Sequence, residues 1–139
     1  MLGSTCLFSQ TITVDNTTNS PAQLVDLLLG NSCVEVSNIS VSSTQSVAYF
    51  NQNGSSFPIS EGVLIRSGNV LETQGLYSDS NLSSSAIGGG TDLFLQNLSN
   101  TSSGTSTSLT DLAYLQFDFI PVSNAFIFNF LFASNEYGE

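Results

Sequence analysis

Two alternating runs near the C-terminal end constrain this chain more than any other feature. Residues 113–120 read AYLQFDFI. Ala113, Leu115, Phe117 and Phe119 fall on one face, and Tyr114, Gln116, Asp118 and Ile120 on the other. After the turn residues 121–124 (PVSN), residues 125–133 read AFIFNFLFA. Phe126, Phe128, Phe130 and Phe132 share one face; Ile127, Asn129 and Leu131 share the opposite one. Period-two runs around a short Pro-containing turn predict adjacent strands in a hairpin. The second run is apolar on both faces, which predicts a central strand covered on both sides, with its phenylalanines in a core.

Upstream, the pattern is again mostly β. Thr11 to Asn19 is a β-branched run that dissolves into polar turn residues. One helix is expected next, with Ser20 as N-cap, Pro21 at the first helical position, Leu24, Val25, Leu27, Leu28 and Leu29 as apolar face, and Gly30 as stop. Val34 and Val36 alternate in one phase and Ile39 and Val41 in the other, so a bulge or break is expected near Asn38. Val47 to Phe50 is a short strand, residues 51–56 (NQNGSS) form a turn, and residues 62–69 form a buried strand closed by a Gly-Asn turn. Residues 73–81 and 83–90 read as loops. Residues 92–98 pack as about one helical turn, and the Ser/Thr-rich stretch 99–108 reads as a mobile linker. The resulting fold class is all-β: an antiparallel β-sandwich, jelly-roll-like, with one short N-terminal helix. Because its richest strand ends six residues before the C-terminus, the sheet is expected to be truncated.

Composition excludes several functions. Among 139 residues there are eleven Asp or Glu, one Lys or Arg (Arg66) and no His, for a net charge of −10. Imidazole-dependent nucleophilic catalysis needs a His. A phosphate-binding P-loop needs a Lys. A zinc site needs more His or Cys than two Cys can supply. Nucleic-acid binding needs cations to replace phosphate counterions, and no partner of that kind is expected. At 40% hydrophobic residues with ten Phe, the chain is too apolar for a disordered one. No stretch reaches the ~20 apolar residues of a membrane span. Residues 1–10 (MLGSTCLFSQ) read as a signal-peptide remnant, although they lack a basic n-region. In an oxidising compartment Cys33 should be paired or buried, and Cys6 is one partner if the N-terminus is retained.

Several segments together resemble the choice-of-anchor L domain of bacterial exported proteins. Residues 31–40 (NSCVEVSNIS) are similar to its opening strand after a helix. Residues 59–69 (ISEGVLIRSGN) resemble its GI-x-L-S-x-G strand and turn. Residues 88–93 (GGGTDL) resemble its Gly-rich approach to an Asp. Residues 115–121 (LQFDFIP) resemble LEFDF-x-P, and residues 130–139 (FLFASNEYGE) resemble F-x-F-x-S-E-E-Y-x-E. Asn135 and Gly138 depart from that last motif. The resemblance covers residues 20–139 and implies that residues 11–139 are the N-terminal part of such a domain. It further implies a secreted or cell-surface location, and a separate C-terminal anchoring module of the type IX sorting kind found in Bacteroidota-like organisms. It also implies a disulfide from Cys33 to a partner outside this chain.

Carboxylates are the only reactive inventory. Glu136 and Glu139 lie three apart and, with Asp92 and Asp118 or with Asp111, could assemble a calcium cage, since hard cations favour clustered oxygens. Asp79 and Asn81, at alternate positions, are a fainter calcium loop. The simpler reading is solvated loop carboxylates, and no resident cofactor is expected. A glycosidase could use paired carboxylates, but Trp is absent and the aromatics occupy core-type positions. The expected function is therefore a non-catalytic structural or adhesive module of a surface protein, with surface polysaccharide or another surface protein as partner. A calcium-dependent carbohydrate-binding module is the alternative, ahead of a surface glycosidase.

Overall fold

A computed structural model describes residues 11–30, 34–74, 87, 90–106 and 108–133. Residues 1–10, expected as a signal-peptide remnant and including Cys6, together with Cys33, Asp79, Glu136, Glu139 and most of the Gly-rich stretch, lie outside the described residues.

The element order is β1 (Thr13–Asp15), α1 (Pro21–Leu28), β2 (Glu35–Val41), β3 (Val47–Asn51), β4 (Glu61–Ile65), a 3-10 turn (Val70–Thr73), α2 (Leu93–Ser103) and β5 (Leu115–Ile120). The strands form two antiparallel sheets, one ordered β1-β3-β4 and one pairing β2 with β5. The architecture is thus β-dominated and antiparallel, with two short helices where the sequence predicts one.

Local chemistry explains α1. The Ser20 hydroxyl accepts from the Gln23 amide, and the Gln23 side chain accepts from the Ser20 amide at 2.8 Å. This reciprocal pair satisfies two orphan donors at the helix start. Pro21 has no N–H to lose there. Leu24 and Val25 are buried, and the helix packs on both β4 and β2.

The core lies on the first sheet, where β3 is the middle strand. Ile12, Val14, Ala48, Phe50 and Val70 form the buried cluster, with Phe57, Ile59 and Leu64 packed against it. Val47 and Ala48 are both buried although adjacent side chains on a strand point to opposite faces, so β3 is the strand covered on both sides. Phe57 meets Phe50 edge-to-face at 5.8 Å. Gly62 sits opposite Phe50 in the β3–β4 register, and the Phe50 ring lies over its backbone.

The second sheet joins distant parts of the chain. Glu35 pairs with Ile120 and Val41 with Leu115, with a register shift between Ser37 and Ser40. Asn38 takes a positive φ of 52° at that break, in line with the phase switch, and Asn tolerates this region better than most residues. The two sheets are linked through serines. Ser42 and Tyr114 exchange bonds, the Ser42 amide donating to the Tyr114 carbonyl and the Tyr114 amide to the Ser42 hydroxyl. The buried Ser46 hydroxyl meets the Ser42 hydroxyl at 3.0 Å, and the Ser46 carbonyl accepts from the Arg66 amide at the end of β4.

Three expectations need correction. Residues 125–133 form neither a strand nor half of a hairpin; every one of them is exposed. Long-range pairing with β2 takes an edge of β5. Residues 62–69 are only partly a strand, which ends at Ile65 and is half-buried rather than buried. The stretch 99–103 is helix rather than linker. Its hydroxyls bond back to carbonyls one turn earlier, Thr101 to Asn97 and Ser103 to Ser99, both at 2.8 Å, and Gly104 closes the helix at φ 67°.

The Gly62 position gives the first prediction. A Cβ there would stand 3.0 Å from the Phe50 ring, which core packing prevents from moving. Gly62→Ala is expected to destabilise by about 1–3 kcal/mol, read as a Tm fall of roughly 3–10 °C. Gly90→Ala, where a Cβ meets nothing within 4 Å, serves as the near-neutral control.

Candidate interaction surface

Among the described carboxylates, Asp15, Asp92 and Asp111 accept from backbone amides, and Glu61, Glu72 and Asp118 meet side chains. Asp15 ends β1, and its Oδ1 accepts from the Thr17 amide and hydroxyl at 2.8 Å and from the Thr18 amide at 3.1 Å. The Thr18 hydroxyl, followed by the Thr17 amide, the Thr17 hydroxyl and the Thr18 amide, holds this carboxyl well below the usual aspartate range. The Asp-Asn-Thr-Thr spelling of an Asx turn is the signal in the sequence that could have revealed this. Tyr49 donates to Glu61 Oε2 at 2.7 Å, which raises its pKa. Arg66 lies 3.6 Å from Glu72 and donates to Thr73 at 3.0 Å, so the single cation does pair with a carboxylate.

Of the calcium candidates, Asp92, Asp111 and Asp118 fall among the described residues. Asp92 is the N-cap of α2 and accepts from the Leu95 amide at 2.8 Å. Asp118 projects from the exposed face of β5 and accepts from the Asn38 amide nitrogen at 2.6 Å, across the bulge. Asp111, at φ 55°, accepts from the Ile87 amide at 3.1 Å. Asp92 and Asp111 share an open groove of about 350 Å³ with Ile65, Ser67, Leu95 and Leu109. Among the described residues, no three His, Cys, Asp or Glu come together as a metal-binding group.

The other feature is apolar. Phe126, Phe128, Phe130 and Phe132 are 47%, 59%, 78% and 78% exposed, and Ile127 on the opposite face is 88% exposed. Their rings continue the row begun on β5. Phe117 meets Phe119 at 6.0 Å, Phe119 meets Phe126 at 5.0 Å, Phe126 meets Phe128 at 5.7 Å, and Phe128 meets Phe130 at 6.1 Å. A zipped hairpin with Phe119 opposite Phe126 would set Phe117 opposite Phe128, and no such ring contact forms. Among the described residues, Phe119–Phe126 is the ring contact that joins β5 to residues 125–133, and no strand ladder joins them. The alternation in the sequence locates this row correctly, but its expected place is inside a core rather than on the surface.

A comparison with family descriptions matches the Choice-of-anchor L domain over residues 13–139. The chain belongs to the choice-of-anchor L domain family. Neither the curated proteins nor the solved structures offer a match. The choice-of-anchor L assignment indicates a module of an exported or surface-anchored protein. Among the described residues, no helix is long and apolar enough to cross a membrane. In this choice-of-anchor L chain the LQFDFI segment is β5, and Gly62 of the EGVLI segment lies beneath the Phe50 ring.

The carboxylates supply two predictions. Because the folded Asp15 pKa is depressed, its stabilising contribution is complete above the ordinary value of about 3.9 and is lost as pH falls below it. An NMR titration should place the Asp15 midpoint below that value, and Asp15→Asn should flatten the acid limb of the stability profile. Asp118→Ala should cost about 0.5–1.5 kcal/mol through the Asn38 bond, measured by urea denaturation.

Proposed function

We propose that this chain is a non-catalytic structural and adhesive module of a larger exported surface protein, held at the cell surface by a separate anchoring module. We read its two antiparallel sheets as the layers of a β-sandwich. The observation that carries this reading is the exposed, uncharged aromatic row of residues 125–133. Contiguous apolar surface of this kind marks contact with another macromolecule. Alternation with Ile and Leu, and the lack of charged donors beside the rings, favour a polypeptide partner on the surface over a polysaccharide. The occupied carboxylates support a role without resident metal or cofactor. Asp92 and Asp111 are each oriented by a backbone amide, and their groove is lined mainly by apolar and small side chains.

The test combines location, calcium and polysaccharides. Antibody labelling of intact producing cells should detect the chain at the surface. Purified protein should show no saturable binding to a polysaccharide panel, no release of reducing ends, and no Tm shift at millimolar calcium. Labelling only after lysis, or steady release of reducing ends, would overturn the proposal. A calcium-dependent Tm rise abolished by Asp118→Ala would replace it with a calcium-dependent module.

A further inference from the structure

Residues 125–133 are nearly palindromic. Reading outward from Asn129, Phe128 mirrors Phe130, Ile127 mirrors Leu131, Phe126 mirrors Phe132, and Ala125 mirrors Ala133. An antiparallel strand pair runs the two sequences in opposite directions. Two copies of this segment centred on Asn129 would therefore place every side chain opposite one of its own kind. Four Phe–Phe pairs would fill one face. Ile–Leu pairs would flank a central Asn129–Asn129 pair on the other.

We propose that residues 125–133 are a self-recognition strand, through which two copies of this chain pair antiparallel about a two-fold axis at Asn129. This deepens the adhesive reading by naming the partner, and it holds wherever the protein is located.

Four observations support a second copy as the occupant. The first is the mirrored sequence, which an arbitrary partner would not require. The second is backbone availability. Among the described residues, no backbone–backbone hydrogen bond ties 125–133 to another segment, and the Ala125 carbonyl alone accepts a side-chain bond, from Ser123 at 2.8 Å, so residues 126–133 offer a template for strand addition. The third is charge. Two chains of net charge −10 repel, so contact is favoured where charge is absent, and residues 119–135 hold no Asp, Glu, Lys or Arg. In the Asn129-centred register, Glu136 falls opposite Val122 and Glu139 opposite Phe119, so no carboxylates oppose one another. The fourth is area. At ~150–250 Å² per buried aromatic, the exposed parts of the four rings offer roughly 400–650 Å² per copy. Ile127 and Leu131, 88% and 53% exposed, extend this toward the ~800 Å² per partner of a standard interface.

Asn129 sets the register. A one-residue slip turns Phe toward the Ile/Leu/Asn face. A two-residue slip sets each Asn129 amide against Ile or Leu, leaving it without a polar partner. A two-fold pair also closes on itself, whereas in-register parallel stacking would continue into a fibre.

The experiment uses the full chain with Cys6→Ser and Cys33→Ser, so that introduced thiols report alone. Sedimentation velocity should show a concentration-dependent monomer–dimer equilibrium. Phe128→Lys and Phe130→Glu, at exposed positions, should leave the far-ultraviolet circular dichroism intact. Each should weaken dimerisation at least ~100-fold, as an unpaired charge in the interface demands. Combining the two substitutions sets the introduced lysine of one copy opposite the introduced glutamate of the other and should recover dimerisation. Under mild oxidation Asn129→Cys should cross-link, because the two-fold axis brings these positions face to face. Ile127→Cys should not, because its counterpart is offset by four residues. A chain that stays monomeric up to millimolar concentration, equal cross-linking by both cysteines, or thioflavin-positive fibres would each overturn the proposal. None of these results depends on surface labelling or polysaccharide binding, so the two proposals fail separately.

Discussion

The two sheets of this chain are joined at a pair of serines. Ser46 is completely buried, and its hydroxyl bridges the Ser42 hydroxyl and the Ser43 carbonyl. Ser42 in turn holds Tyr114 just ahead of β5, while the Ser46 carbonyl holds Arg66 just after β4. One short turn therefore fixes the end of β2, the start of β3, the exit of β4 and the entry of β5. Buried polar groups of this kind carry a cost unless they are satisfied. Each bond thereby specifies where a neighbouring strand must pass. Placing β5 beside β2 is what orients the row of rings that continues into residues 125–133.

The distribution of charge follows a related logic. With one cation in the chain, most carboxylates cannot find a salt-bridge partner. The fold uses backbone amides and neutral side chains instead: Thr17 and Thr18 for Asp15, Leu95 for Asp92, Ile87 for Asp111, and Asn38 for Asp118. Carboxylates engaged in this way terminate strands, cap helices and tie bulges. Among the described residues, no three His, Cys, Asp or Glu come together as a metal-binding group. The reactive-looking inventory of the sequence is largely structural in the described residues, and the apolar ribbon is the feature with surface to offer.

Legibility follows the range of the interaction. Helix α1 is readable to the residue because its cap, its first-turn proline and its stop are all encoded within a dozen positions. The bulge at Asn38 is readable because a phase switch in alternation leaves no other solution on one pair of faces. The faces of β5 are readable for the same reason, but its partner is not. Its mate β2 lies some eighty residues away in sequence, and the nearer candidate has stronger alternation. The helix over Ser/Thr-rich 99–103 escapes a compositional reading, because composition says nothing about hydroxyls that bond back along a helix. Family resemblance is legible from the motifs of β4, β5 and the segment beyond, whereas Cys33, Glu136 and Glu139, for which a disulfide and calcium ligation are expectations only, fall outside the described residues.

The same physics that marks residues 125–133 as a buried strand in the sequence makes them a recognition element in the structure. Alternating phenylalanines define a face; branched residues on the other side define a second. Nothing within the run supplies the backbone partners that a strand requires. Such a segment is stable in water only to the extent that something else covers it. Its placement therefore depends on which surface reaches it with matching spacing and without opposing charge. β5 meets it through the Phe119–Phe126 ring contact, and among the described residues no strand ladder joins the two. Covering both faces and the free backbone at once calls for a strand of equal length that is uncharged and aromatic at alternate positions. The near-palindrome about Asn129 means that an inverted copy of the segment satisfies all three requirements.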